Sequence, residues 1–249
     1  RDRVAVPVAM SELDAAAGEF PLVIEHLAGR YRLVALLGLD TACNVFVTAL
    51  GRWRAAYIPA VLRGYPFAPA RLEASEATEA LTLADDGVAL GVESDAVFTG
   101  QSQAAEAFFN GEKPTELVVQ IREFVSALHE GVGAMSRCLE QLANGGLLIP
   151  ASEPKALLDA NCRCFRVDEQ RLSELPGKVL EALAHTGALK LAHAQIISMK
   201  KMAVLQHLAR ERVPKSGSPS VSGENNAGGA SRPDEFLSAL RRDYRQDTP

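Results

Sequence analysis

From Leu117 to Leu142, apolar residues recur at steps of three or four: Leu117, Ile121, Phe124, Leu128, Val132, Met135, Leu139 and Leu142. Only an α-helix puts such a series on one face. Pro114 can open that helix, because its missing N–H is unneeded in a first turn, and Gly145-Gly146 closes it. Gly131 and Gly133 are read as weak points or kinks. A long helix with a single apolar face needs a second layer to cover it.

The N-terminal part supplies a candidate layer. Leu22–Ile24, Tyr31–Leu37 and Cys43–Thr48 are short runs rich in β-branched or aromatic residues, separated by turn formers at Gly29, Gly38–Asp40 and Gly51. Two further runs, Ala80–Leu83 and Val88–Val92, flank Asp85-Asp86-Gly87, a hairpin signal. Consecutive strands with brief links read as an antiparallel meander. Ser102–Phe109 reads as a short helix stopped by Asn110-Gly111.

Beyond the long helix, Leu147–Pro150 is an apolar run and Cys162–Val167 a strand, with Asp168 capping a turn. Pro176 opens a helix to about His185, stopped by Gly187, and Leu189–Leu208 is a further, well-buried helix. The fold class is therefore α+β: an N-terminal antiparallel sheet or partial barrel packed with C-terminal helices. Residues 1–212 form one globular domain, strand-rich over 21–92 and helix-rich over 102–212. Residues 213–233, dominated by Ser, Gly, Asn and Pro, read as a flexible linker, and 234–249 as a short amphipathic tail helix with arginines at its end.

Charge and hydropathy exclude several roles. The net charge of −5 argues against a broad basic surface, so nucleic acid is not an expected partner. No apolar run approaches the ~20 residues that span a bilayer. Pro7 and the acids Glu12 and Asp14 argue against Val4–Met10 as a signal peptide. A cytoplasmic, soluble protein is expected, with export to the cell surface as the alternative. The four cysteines, Cys43, Cys138, Cys162 and Cys164, read as buried free thiols, and nothing completes a metal site around the last two.

Chemistry concentrates between Gly51 and Phe67. That stretch holds the sole tryptophan, two of the four tyrosines and Arg52, Arg54 and Arg63. The arginines suit a clamp for a carboxylate or phosphate, with Trp53, Tyr57, Tyr65 and Phe67 as stacking faces. The competing reading makes the aromatics core anchors covered by arginine stems. Pro59 and Pro66 stiffen the segment. Histidines are dispersed, and neither a His-Glu-x-x-His helix nor a Gly-x-Ser-x-Gly elbow occurs. His193 is the histidine most worth placing. It reads as a hydrogen-bonded core residue or, with a carboxylate nearby, as part of a pocket.

Asn44-Val45-Phe46-Val47, Gly51-Arg52-Trp53, Tyr57-Ile58-Pro59 and Arg63-Gly64-Tyr65-Pro66-Phe67 together resemble the signature of the bacterial SapC family. That signature has a second arginine at the position of Gly64. Phe165–Glu169, Leu172, Leu175, Gly187–Leu189 and Ala192-His193-Ala194 through Ser198 resemble the family's C-terminal half, with Met199 where leucine is usual. The resemblance runs from Val4 to Arg212. Its name is associated with a bacterial surface layer, and some members carry a permease label that a chain without a membrane span does not support. Related sequences also resemble neighbours of outer-membrane receptor and flavin-dependent halogenase systems. No catalytic residue or cofactor follows from the resemblance.

The expected function is therefore non-catalytic binding or accessory work on a small molecule, peptide or protein partner. Asn44, Arg52, Trp53, Tyr57, Arg63, Tyr65, Phe67 and His193 are the candidate contact residues, and self-association is open. The alternatives are an enzyme or accessory subunit of an amino-acid or peptide tailoring system, and a surface-layer component.

Overall fold

The computed structural model describes residues 3–39, 43–70, 78–81, 89–93, 107–111, 113–151 and 162–212. The chain divides at Arg212 into two units, and every described residue belongs to the first. The linker and tail helix expected beyond it lie outside the described residues, as does the Asp85-Asp86-Gly87 turn.

The main sheet has five antiparallel strands in the order β1-β3-β2-β10-β9. These are β1 (Ala5–Pro7), β2 (Leu22–Leu27), β3 (Arg30–Leu36), β9 (Leu148–Pro150) and β10 (Cys162–Val167). The β2–β3 hairpin pairs Leu22 with Ala35 through Leu27 with Arg30, leaving a two-residue turn in which Ala28 (φ 50°) and Gly29 (φ 76°) are both left-handed. This geometry matches strand twist. On its other side β2 pairs with β10, Ile24 opposite Phe165 and Leu27 opposite Cys162. The sheet is thus α+β as expected, but it is not a meander of consecutive strands. Two of its five strands come from beyond the long helix, a long-range pairing that local periodicity does not encode. It is also open, with three-residue strands at both edges, and a proline in each edge blunts it against further pairing.

A second sheet orders β4 (Phe67–Ala70), β6 (Ala89–Glu93) and β5 (Thr78–Leu81), the last two antiparallel as the sequence suggested. The helix expected over Ser102–Phe109 is corrected where it is described. Phe109–Asn110 (β7) pairs with Lys113–Pro114 (β8) in a hairpin, because Gly111 takes φ 65° and turns the chain back. Pro114 therefore sits in a strand, and the following helix starts two residues on.

That helix, α3 (Glu116–Asn144), is unbroken through both internal glycines. It packs against β3, and its buried face includes Ile121, Leu128, Met135, Leu139 and Leu142. Each fully buried aliphatic side chain contributes about 1.5–3 kcal/mol of transfer free energy. Gly131 is a close-approach residue and not a kink: a Cβ there would lie 3.0 Å from the Ala9 Cβ. Gly146 (φ 66°) ends the helix, and the Leu147 N–H donates to the Leu142 carbonyl.

The remaining helices are α1 (Leu13–Glu19), α2 (Ala60–Arg63), α4 (Glu169–Ser173), α5 (Gly177–Thr186), α6 (Ala188–Ser198) and α7 (Met202–Arg212). Asp168 caps α4 by accepting the Arg171 N–H, as expected. Gly187 (φ 84°) lets α5 end and α6 begin at one residue. The single helix expected over Leu189–Leu208 is divided by a 3-10 turn at Met199–Lys201. No helix among the described residues is long and apolar enough to cross a membrane.

Candidate functional site

The Gly51–Phe67 stretch is organised by an acid from outside it. Glu12 lies in a 3-10 turn, Met10–Glu12, and is buried. Its Oε1 accepts the Ala9 N–H at 3.0 Å, and its Oε2 accepts both the Tyr57 hydroxyl and the Ala60 N–H at 2.8 Å. A buried carboxylate is tolerable only with such donors. The bond to Ala60 also fixes the first residue of α2. Sequence reading missed Glu12, although its spacing from an apolar N-terminal segment was visible; no local pattern ties it to residue 57.

Tyr57 continues the network. Its hydroxyl oxygen accepts from Arg63 Nη2 at 3.1 Å, while Arg63 Nε donates to the Ile58 carbonyl at 3.1 Å. The guanidinium carbon lies 5.4 Å from the Tyr57 ring centre and 5.8 Å from that of Phe124. Burial, reinforced by the Glu12 carboxylate, pushes the phenol well above its ordinary pKa. Tyr57 is therefore a fixed donor, not a base.

Trp53 is half-buried, and its Nε1 donates to the Tyr57 carbonyl at 2.8 Å. Its ring stacks on Phe46 at 5.9 Å and meets Phe20 edge-on at 6.1 Å. Asn44 is buried. Its Oδ1 accepts the Phe46 N–H at 2.9 Å, and its carbonyl accepts from Arg212. This side-chain turn replaces the strand expected over Cys43–Thr48, where only a Val47–Trp53 bridge remains. Phe67 packs edge-on against Phe108 at 5.9 Å, beside the Val118, Ile121 and Val125 cluster.

The three arginines are engaged separately. Arg52 is exposed, Arg54 pairs with Glu211 of α7 at 2.9 Å, and Arg63 is held on the Tyr57 and Phe124 rings. The anticipated three-arginine clamp is not assembled. Gly64 is buried with a helical φ of −71°, and an added Cβ would lie 3.3 Å from Phe124. A side chain at 64 would therefore start out against Phe124 of α3.

Other residues of the segment are exposed. Leu50 is 83% exposed, Ile58 39% and Tyr65 55%, with Arg52 also in solvent. The Tyr65–Pro66 peptide is cis.

His193 falls elsewhere. It is exposed on α6 and, among the described residues, makes no hydrogen bond or ion pair with the aromatic segment. The core-histidine reading is thereby corrected. The buried polar residues of this helix are Gln195 and Ser198, both 0% exposed. Gln195 Oε1 accepts the Val167 N–H and its Nε2 donates to the Leu22 carbonyl, each at 3.0 Å, while Ser198 Oγ accepts the Leu22 N–H. The β2–β10 ladder reaches Ile24 and Phe165, and beyond it one amide side chain bridges the two strands. A polar pair three residues apart on an apolar helix was the available signal for this stitch.

Among the described residues no group of three His, Cys, Asp or Glu is placed to hold a metal ion. All four cysteines are free, and burial together with Cys162 pushes the Cys164 thiol up to about 12. It stays protonated.

Against known proteins, the family model described as SapC matches residues 1–205. No curated protein and no solved structure matches the chain.

Proposed function

This chain belongs to the SapC family, and we propose that it is a non-catalytic binding protein that docks a protein or peptide partner on the outer side of its Leu50–Phe67 segment. One observation carries the reading: the segment is two-sided. Inward, Trp53 Nε1, the Tyr57 hydroxyl and the Arg63 guanidinium are bonded within the chain. Leu50, Ile58 and Tyr65, large apolar or aromatic side chains, are exposed along the same segment, as is Arg52. Exposed aromatic and aliphatic groups with an arginine, on a backbone already held rigid, have the composition of an interaction hot spot and lose little entropy on binding.

An enzymatic role has less support. The one strongly perturbed side chain of the segment, Tyr57, is locked as a hydrogen-bond donor, and His193 stands apart from it. A photo-crosslinking residue at Ile58 or Tyr65, introduced into the full chain in its producing cells, should trap one defined protein. Arg52→Glu should abolish that adduct, and the same crosslinker at Lys178 on α5 should trap nothing comparable. Absence of an adduct, or identical adducts from Lys178, would rule the surface out.

A further inference from the structure

A wide-mouthed groove of about 380 Å³ opens between the Met10–Glu12 turn, the second half of α3 and the end of α5. Met10, Ala134, Arg137, Cys138, Gln141 and Thr186 line it. It shares no lining residue with the Leu50–Phe67 segment. Its volume lies in the range of small-molecule sites.

Part of the lining is bonded within the chain, and the donors left over are those of Arg137 and Gln141. The Cys138 thiol donates to the Thr186 carbonyl at 3.3 Å, and the Thr186 hydroxyl donates to Gln141 Oε1 at 2.6 Å. The same hydroxyl also lies 3.1 Å from the Leu183 carbonyl and 3.4 Å from that of Ala182, and the Gln141 NH2 group has no partner among the described residues. Arg137, exposed on α3, makes no hydrogen bond or ion pair among the described residues, Glu140 one turn along included. Met10 and Ala134 supply the apolar part of the same lining. A planar five-donor cation and an amide NH2 above a hydrocarbon surface select a ligand with an anionic planar acceptor and an apolar body.

We propose that this groove binds an amphiphilic monocarboxylate, with Arg137 and Gln141 holding the carboxylate and Met10 and Ala134 contacting its hydrocarbon part. The test is calorimetric titration of the full chain with octanoate, and with octanol as its uncharged counterpart. Octanoate should bind saturably, and octanol and the Arg137→Gln variant with octanoate should each bind roughly tenfold more weakly, the scale of one charge-assisted hydrogen bond. Ala134→Phe, which fills the groove while keeping the arginine at 137, should also abolish binding, with an unchanged thermal transition showing that each variant is folded. Lack of saturable octanoate binding, equal binding of octanol, or full affinity in either variant would overturn the proposal. None of these outcomes bears on the partner surface at Ile58 and Tyr65.

Discussion

Single residues in this protein are set by who donates to whom. Glu12 and Glu25 are both buried carboxylates, yet they are held differently. Glu12 receives two backbone N–H groups and a phenol, whereas Glu25 faces Arg32 directly across the β2–β3 ladder in a 2.7 Å ion pair. Burial raises the pKa of Glu25, and the Arg32 guanidinium offsets only part of that rise. The native chain therefore keeps this proton to higher pH than the unfolded chain. Its stabilising contribution is complete below the ordinary value of 4.5 and shrinks as pH rises through the shifted one. Glu25→Gln should accordingly flatten the decline in unfolding free energy just above pH 4.5, measured by urea denaturation across a pH series. An unchanged slope would remove Glu25 from that account.

At the scale of elements, the same helix carries two glycines of opposite meaning. A Cβ at Gly131 would press on Ala9 at 3.0 Å, while at Gly133 it would meet only the flexible end of Arg137 at 3.7 Å. Gly133→Ala should stabilise the protein by about 0.5–1 kcal/mol through helix propensity. Gly131→Ala should instead destabilise it by about 1–3 kcal/mol through overpacking. Thermal and denaturant unfolding of the two variants distinguish these signs, and equal shifts would contradict the close approach of α3 to Ala9. Periodicity made α3 readable in advance, β-branched and aromatic runs between turn formers marked β2, β3 and β10, and Pro176 and Gly187 marked the ends of α5 and the start of α6. These signals failed at Asn44, whose side chain takes the Phe46 N–H and turns the chain, and at Phe109, where a left-handed Gly111 makes a hairpin. Both failures are local side-chain or glycine choices overriding strand and helix propensity. β1 and α1 escaped because three and seven residues carry too little period to detect.

At the scale of the whole molecule, what could not be read was long-range. The aromatic and arginine-rich segment was conspicuous in the sequence, and so was the C-terminal motif around His193. Their tethers were not: Glu12 lies 45 residues from Tyr57, and Gln195 lies 173 from Leu22. The polar groups that matter are a carboxylate holding the segment from the N-terminal side and an amide joining two strands from α6. Each leaves a buried partner unpaired if removed, at a cost of about 1–3 kcal/mol. The partner surface we propose would rest on this tethering, because Glu12 and the Trp53–Tyr57 bond fix the backbone of the segment from within. The most direct measurement is a double-mutant cycle between Glu12→Gln and Tyr57→Phe, followed by urea denaturation. A lock of this kind predicts a coupling of about 1–3 kcal/mol between the two changes, whereas additivity within about 0.3 kcal/mol would contradict it.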